Sequence, residues 1–328
     1  MHTLQSALFA AVVATGVAVT AVPGVAQAQQ NFPTKPVRFV VPSAAGGPPD
    51  TVARLIGPKM SESWGQPVVI ENRPGAGSMI GTSIVAKATP DGYTLLLNTG
   101  AFAVNAALQP NLPYDPLKDF AGVTGISSGT LALVVPPALG VNSVKDFIAF
   151  GKAQPGKILF GSAGAASYVH LWGEAVRLAA GIKAVHVGFK GAPQAAIEVL
   201  AGRVHYAVLN LIVVLPMIKD GKLLALAVNS PQRSPLLPDV PTMAETLPEL
   251  KRPEGGMGIL APAGTPRPIR DQISKEVARI LDLPDIKQRL QAMGSTPASR
   301  TPDEHDKFLR AQIETISRLV VEAGLKAK

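Results

Sequence analysis

The residues of this chain whose types and spacing could do chemistry lie in glycine- and serine-rich clusters, each between an apolar run and a helical pattern. Four stand out: Ser43-Ala44-Ala45-Gly46-Gly47, Pro74-Gly75-Ala76-Gly77-Ser78, Asn98-Thr99-Gly100 and Gly161-Ser162-Ala163-Gly164-Ala165-Ala166-Ser167. Glycine lets backbone N–H groups turn toward a ligand, and a following helix adds unpaired donors and the positive end of its dipole. Such a corner accepts a phosphate or carboxylate without a charged side chain. The alternative is that an α/β protein needs glycine at its strand-to-helix turns whatever it binds. A further turn, Lys190-Gly191, would bring a cation to an anion or serve only as a solvated turn.

Enzyme chemistry fits these corners less well. Gly75-x-Gly77-x-x-x-Gly81 is too loosely spaced for a dinucleotide fingerprint, and Leu97 leads into Asn98 and Thr99 where an acid would hold a ribose. Phe160 stands where a nucleophile elbow at Ser162 requires glycine. His170, His186 and His205 could supply a base, yet nothing in the sequence places one beside Ser162, so an exported hydrolase using Ser162 is the lesser alternative. No two histidines share an i, i+4 face, and neither H-E-x-x-H nor a P-loop occurs. No metal and no cofactor are expected. The absence of cysteine excludes disulfides, thiolate metal sites and cysteine nucleophiles.

The elements that must position the corners alternate. Strands are expected over 37–41, 68–70, 94–97, 158–160, 184–187, 204–209 and 223–228. Helices are expected from an N-cap at Asp50 to about Glu62, then over 78–87, 143–152, 167–180 and 194–200. Three more helices, over 266–281, 284–293 and 302–322, open with proline near the first turn. This alternation argues for α/β architecture with largely parallel sheets.

With 328 residues, 47% of them hydrophobic and 16% charged, the chain has material for about two domains. Its 31 basic and 23 acidic residues give +8, but the charges are scattered, the densest clusters being pairs such as Lys251-Arg252. With only 5% aromatics as well, no nucleic-acid partner is expected. Residues 7–22 are apolar and uncharged, and Ala26-Gln27-Ala28 follows as a small-x-small site. That order predicts a secretory signal peptide over 1–28, cleaved near Ala28, and a periplasmic, soluble mature protein. The segment before the apolar run lacks Lys and Arg, which suggests a translation start further upstream.

The residues then resemble a known family. Gly46-Gly47-x-x-Asp50-x-x-Ala53-Arg54, Glu71-Asn72-Arg73-Pro74-Gly75-Ala76-Gly77, Pro90-Asp91-Gly92-Tyr93-Thr94-Leu95-Leu96, Ser167-x-x-His170-Leu171 and Ala261-Pro262-Ala263-Gly264-Thr265-Pro266 follow in order. The chain from about Phe32 onward is similar to the Bug/TctC periplasmic solute-binding receptors of tripartite tricarboxylate transporters. The resemblance implies a two-lobed, type II Venus-flytrap fold, each lobe a mixed, largely parallel sheet flanked by helices. Domain 1 would comprise residues 29–131 and 255–328, and domain 2 residues 132–254, with chain crossings near 129–133 and 251–256. A small organic carboxylate would sit in the cleft, and the partners would be a large and a small integral membrane subunit. The receptor itself is expected to be a monomer, with ligand sensing for a signalling partner as the alternative role.

Carried over by position, Ser43, Ala44, Gly46, Gly47, Thr99 and Gly100 would line the first wall. Ser162, Ala163, Gly164, Ser167 and Tyr168, with Lys190, Gly191 and Asn210, would line the second. Many relatives carry an acid where Leu209 stands, a position suited to a ligand ammonium; its absence predicts a ligand without an amine. Tyr168 is a bulky departure at a helix start.

Overall fold

The computed structural model describes residues 32–165, 167–250 and 255–325; the expected signal peptide lies outside them. Residues from Pro33 onward belong to one unit of the chain. β1 (Val37–Val41) and β2 (Val68–Asn72) flank α1 (Pro48–Trp64), which starts with proline in its first turn. α2 (Met79–Ala86) leads to β3 (Thr94–Asn98), buried at every residue as a strand covered on both faces must be. α3 (Gly100–Leu108), β4 (Phe120–Gly129) and β5 (Leu131–Val135) follow.

α4 (Val144–Ala153), β6 (Ile158–Ser162), α5 (Tyr168–Ala180), β7 (Ala184–Gly188), α6 (Ala192–Leu200), β8 (Tyr206–Asn210), α7 (Leu211–Lys219), β9 (Leu224–Val228) and the short α8 (Met243–Thr246) come next. The chain ends with β10 (Met257–Pro262), α9 (Arg267–Leu281), α10 (Pro284–Ala292), β11 (Ser295–Pro297) and α11 (Pro302–Glu322).

The strands make two sheets, ordered β11-β4-β10-β3-β1-β2 and β7-β6-β8-β5-β9. Each has a parallel half, β2-β1-β3 and β7-β6-β8. The other half of each is antiparallel: β10 against β3 and β4, and β5 against β8 and β9. The sheets are therefore mixed, and β4, β5, β10 and α3 are elements that the alternation did not anticipate.

Thr130 is the single residue between β4 of one sheet and β5 of the other. Its N–H donates to Gly294 O at 2.8 Å, and its carbonyl accepts from Leu211 N–H at 2.8 Å. The second expected crossing, near 251–256, falls largely on residues 251–254, outside the described residues. Phe102, Tyr114 and Phe120 pack their rings in the core of the first sheet. The core of the second, around Phe147, Phe160, Trp172 and Tyr206, also takes in Val104 of α3 and Ile316 and Leu319 of α11. These two helices stitch the lobes together by burying apolar area on both.

Candidate functional site

Because β1 and β3 are parallel neighbours, the loops after them leave the same edge of the first sheet. The same holds for β6, β7 and β8 in the second. The predicted corners thus fall into two groups, residues 43–47 with 99–100 and residues 162–168 with 190–191 and Asn210. The groups come together where a Cβ on Gly100 would lie 3.0 Å from the ring of Tyr168.

In the first group, Asp50 is not the N-cap of α1. Gly47 takes that position, and Asp50, 3% exposed, turns its carboxylate back into the corner. There it accepts the Gly46 N–H at 2.8 Å and Arg54 Nε at 3.0 Å. Arg54 and the Gly46 N–H hold its pKa down at about 2 against the opposing effect of burial. The Gly46 N–H expected to meet a ligand is therefore held inside the corner, and Gly47 N–H points to Ala44 O at 3.4 Å. Asn72, reaching Ser43 O at 3.2 Å and accepting from Arg54, ties in β2. Thr99 caps α3 by accepting the Ala101 N–H at 3.3 Å.

Two atoms at this edge stand apart. Ser43 Oγ and Asn98 Oδ1 are buried without a hydrogen-bond partner among the described residues, at the ends of the adjacent strands β1 and β3. Buried polar atoms are nearly always paired, so the pair marks a place where a ligand or water completes the bonding. Asn98 belongs to the predicted Asn98-Thr99-Gly100 corner but not to the predicted site residues; its signal is a polar side chain following Leu95-Leu96-Leu97 at the end of β3. The loop after β2 holds Ala76 and Ser78 at φ 46° and 83°, strain that Asn105 braces by donating to Gly77 O at 2.8 Å.

In the second group, Ser167 caps α5 by accepting the His170 N–H at 3.2 Å. Ser162 is fully buried; its Oγ accepts the Gly164 N–H at 3.1 Å, donates to Gly164 O at 2.9 Å and lies 2.7 Å from His186 Nε2. The fold thus brings beside Ser162 one of the three histidines that the sequence alone could not place. The single hydroxyl proton can go to Gly164 O or to His186 Nε2, and the tautomer of His186 sets the direction of the second bond. Burial, then the neighbouring His170, lowers the His186 pKa to about 4, with Glu174 opposing. His170 and His186 stack at 3.6 Å, and Glu174 receives Arg177 Nε at 2.5 Å. This chain of polar groups fixes the corner from behind. Lys190 is exposed, its N–H donating to the Gln194 side chain at 3.1 Å, and Asn210 pairs with Leu131 beside the crossing.

Two cavities of about 230 and 440 Å³ flank Thr130, lined by residues such as Trp172, Asn229 and Arg300, and Arg233, Leu236 and Gln291. Their walls combine Thr130 and the loop after β9 with residues of α5, α10, α11 and β11, and include none of the strand-end corners. Among the described residues no cluster of side chains could hold a metal ion, and no helix is long and apolar enough to cross a membrane.

Residues 52–325 match the family described as "Tripartite tricarboxylate transporter family receptor", TctC. This chain belongs to that family. The TctC family is one of periplasmic solute-binding receptors and not of enzymes. This TctC chain is 36% identical over 304 residues to protein BugT of Bordetella pertussis, covering 91% of this chain and 92% of the relative. An R. palustris protein solved with adipate has a TM-score of 0.76 at 32% identity, covering 89% of this chain and 98% of that one. MatC of Rhodopseudomonas palustris, with bound malate, has a TM-score of 0.71 at 31% identity, covering 88% of this chain and 100% of that one. TctC membership and these neighbours give the two-lobed α/β fold its place among periplasmic binding proteins.

Proposed function

We propose that this receptor captures a small organic carboxylate between the two groups of corners and delivers it to a transporter with one large and one small membrane subunit. The observation that carries the reading is that Ser43 Oγ and Asn98 Oδ1, at the ends of the adjacent strands β1 and β3, are buried without a partner among the described residues. A serine hydroxyl donates to a carboxylate, and an asparagine amide offers a donor and an acceptor for the ligand or its bridging water. The adipate and malate complexes of related receptors support the same ligand class. The one acid in the corners, Asp50, is engaged by the Gly46 N–H and Arg54, and Leu209 is fully buried beside Asn210, so a ligand ammonium would lack a free counter-charge. The ligand is accordingly a carboxylate without an amine. In this reading residues 132–254 form lobe 2, inserted into lobe 1, and the cleft lies between these corners.

A thermal-shift series with malate, adipate, their amides and their amino analogues tests this. A ligand at one hundred times its Kd that binds only the folded state adds about 2.7 kcal/mol. A rise with an acid and none with its amide is expected; preference for an amino analogue refutes the ligand class. Loss of uptake on gene deletion supports delivery, whereas a change in transcription alone favours sensing. Export through residues 1–28 predicts an exported protein beginning near Gln29.

A further inference from the structure

We infer that Tyr168 closes the inner end of the cleft and so limits the length of the acid this receptor takes; the inference rests on the carboxylate reading above. Tyr168 is the first residue of α5, in the second lobe. Its ring lies against Gly100, the first residue of α3 in the first lobe, with ring atoms 3.0–3.3 Å from where a Cβ would stand. Its hydroxyl lies against Gly255, where a Cβ would overlap it. Gly255 is two residues before β10, whose Met257 pairs with Ser127 near the chain crossing. The side chain thus spans from the start of α3 to the returning strand.

Gly100 is not among the glycines with positive φ, so its missing side chain makes room for the Tyr168 ring, and at Gly255 a Cβ would overlap the hydroxyl. The ring covers the N-terminus of α3, which Thr99 already caps, and takes the space an anion would use there. The carboxylate seat is left on the side of Ser43 and Asn98, and the carbon chain must fit between that seat and the ring.

The test is titration calorimetry of the exported protein with succinate, glutarate, adipate and pimelate. Replacing Tyr168→Ala should improve pimelate relative to succinate by about tenfold or more, the order of one or two methylenes in a closed pocket. Tyr168→Phe should keep the wild-type length profile. Gly100→Ala should weaken all four acids several-fold, and the same change in the Tyr168→Ala background should cost nothing, because the clash partner is gone. An unchanged length ratio in Tyr168→Ala overturns the inference, as does a Gly100→Ala penalty that survives removal of the ring. So does a folded Tyr168→Ala protein that loses all four acids alike. Wild-type protein that binds none of the acids instead refutes the proposed function, and this inference with it.

Discussion

Replacing Asp50→Asn keeps the shape of the β1–α1 corner and deletes its one buried charge. The carboxylate pKa falls from 3.8 to about 2 on folding. A drop of that size corresponds at most to about 2.5 kcal/mol. The Arg54 side chain is 54% exposed, so solvent screens the pair and leaves about 1–1.5 kcal/mol. A depressed carboxylate stabilises the fold fully above its unfolded pKa and loses that contribution as pH falls through the folded value. The wild-type protein should therefore exceed the variant by about 1–1.5 kcal/mol at pH 7, with about half of the gap gone at pH 3. Urea unfolding at pH 7, 5, 4 and 3 measures it, and the thermal midpoint should drop by about 2–5 °C at neutral pH. No gap at pH 7, or a gap of constant size down to pH 3, would refute the role given to Asp50.

Ser162→Ala should cost about 1–3 kcal/mol in urea unfolding, because Gly164 N–H and His186 Nε2 lose a buried partner. Neither that variant nor the wild type should turn over a generic ester; turnover by wild type that the change abolishes would reinstate a catalytic serine. Gly258→Ala puts a methyl 2.6 Å from His305 Nε2 and 2.8 Å from Thr124 O, and should destabilise by about 1–3 kcal/mol. Burial holds His186 near pKa 4 and His305 near 3, so the NMR signals of both rings should stay constant from pH 8 to 5.5. An inflection near 6.5 for either would contradict its burial.

Helices with local start signals were legible in the sequence. Ser143 and Ser167 cap α4 and α5 where the hydroxyl preceded an apolar stripe, and α11 opens with a capping box between Thr301 and Glu304. β4 was not legible, because Gly122, Gly125, Ser127 and Ser128 read as a loop. Its glycines have a tertiary cause: a Cβ on Gly122 would press within 2.7 Å of Asp306 Oδ1, and one on Gly125 would overlap Ala298 O. The positions of the corners could be read, but their internal bonding could not. Asp50 serves Gly46 instead of starting the helix, and His186 reaches Ser162 only through the register that sets Phe160 against His186 and Ser162 against Gly188. Register between strands separated by a helix leaves no mark in either strand alone.

The strand order of the first sheet also dictates when it can form. β10 lies between β3 and β4, so strands made early in synthesis are joined only by one made more than a hundred residues later. The second sheet, by contrast, is contained in the continuous stretch from Leu131 to Val228. During synthesis that stretch can fold as a unit, while the N-terminal strands wait for Met257–Pro262. Until then β3 and β4 have unpaired edges and half a core, the state in which a chain is vulnerable to proteases and edge pairing. The wall holding Ser43 and Asn98 is built from the oldest part of the chain yet is the last to close, so a truncation upstream of Pro262 should abolish binding.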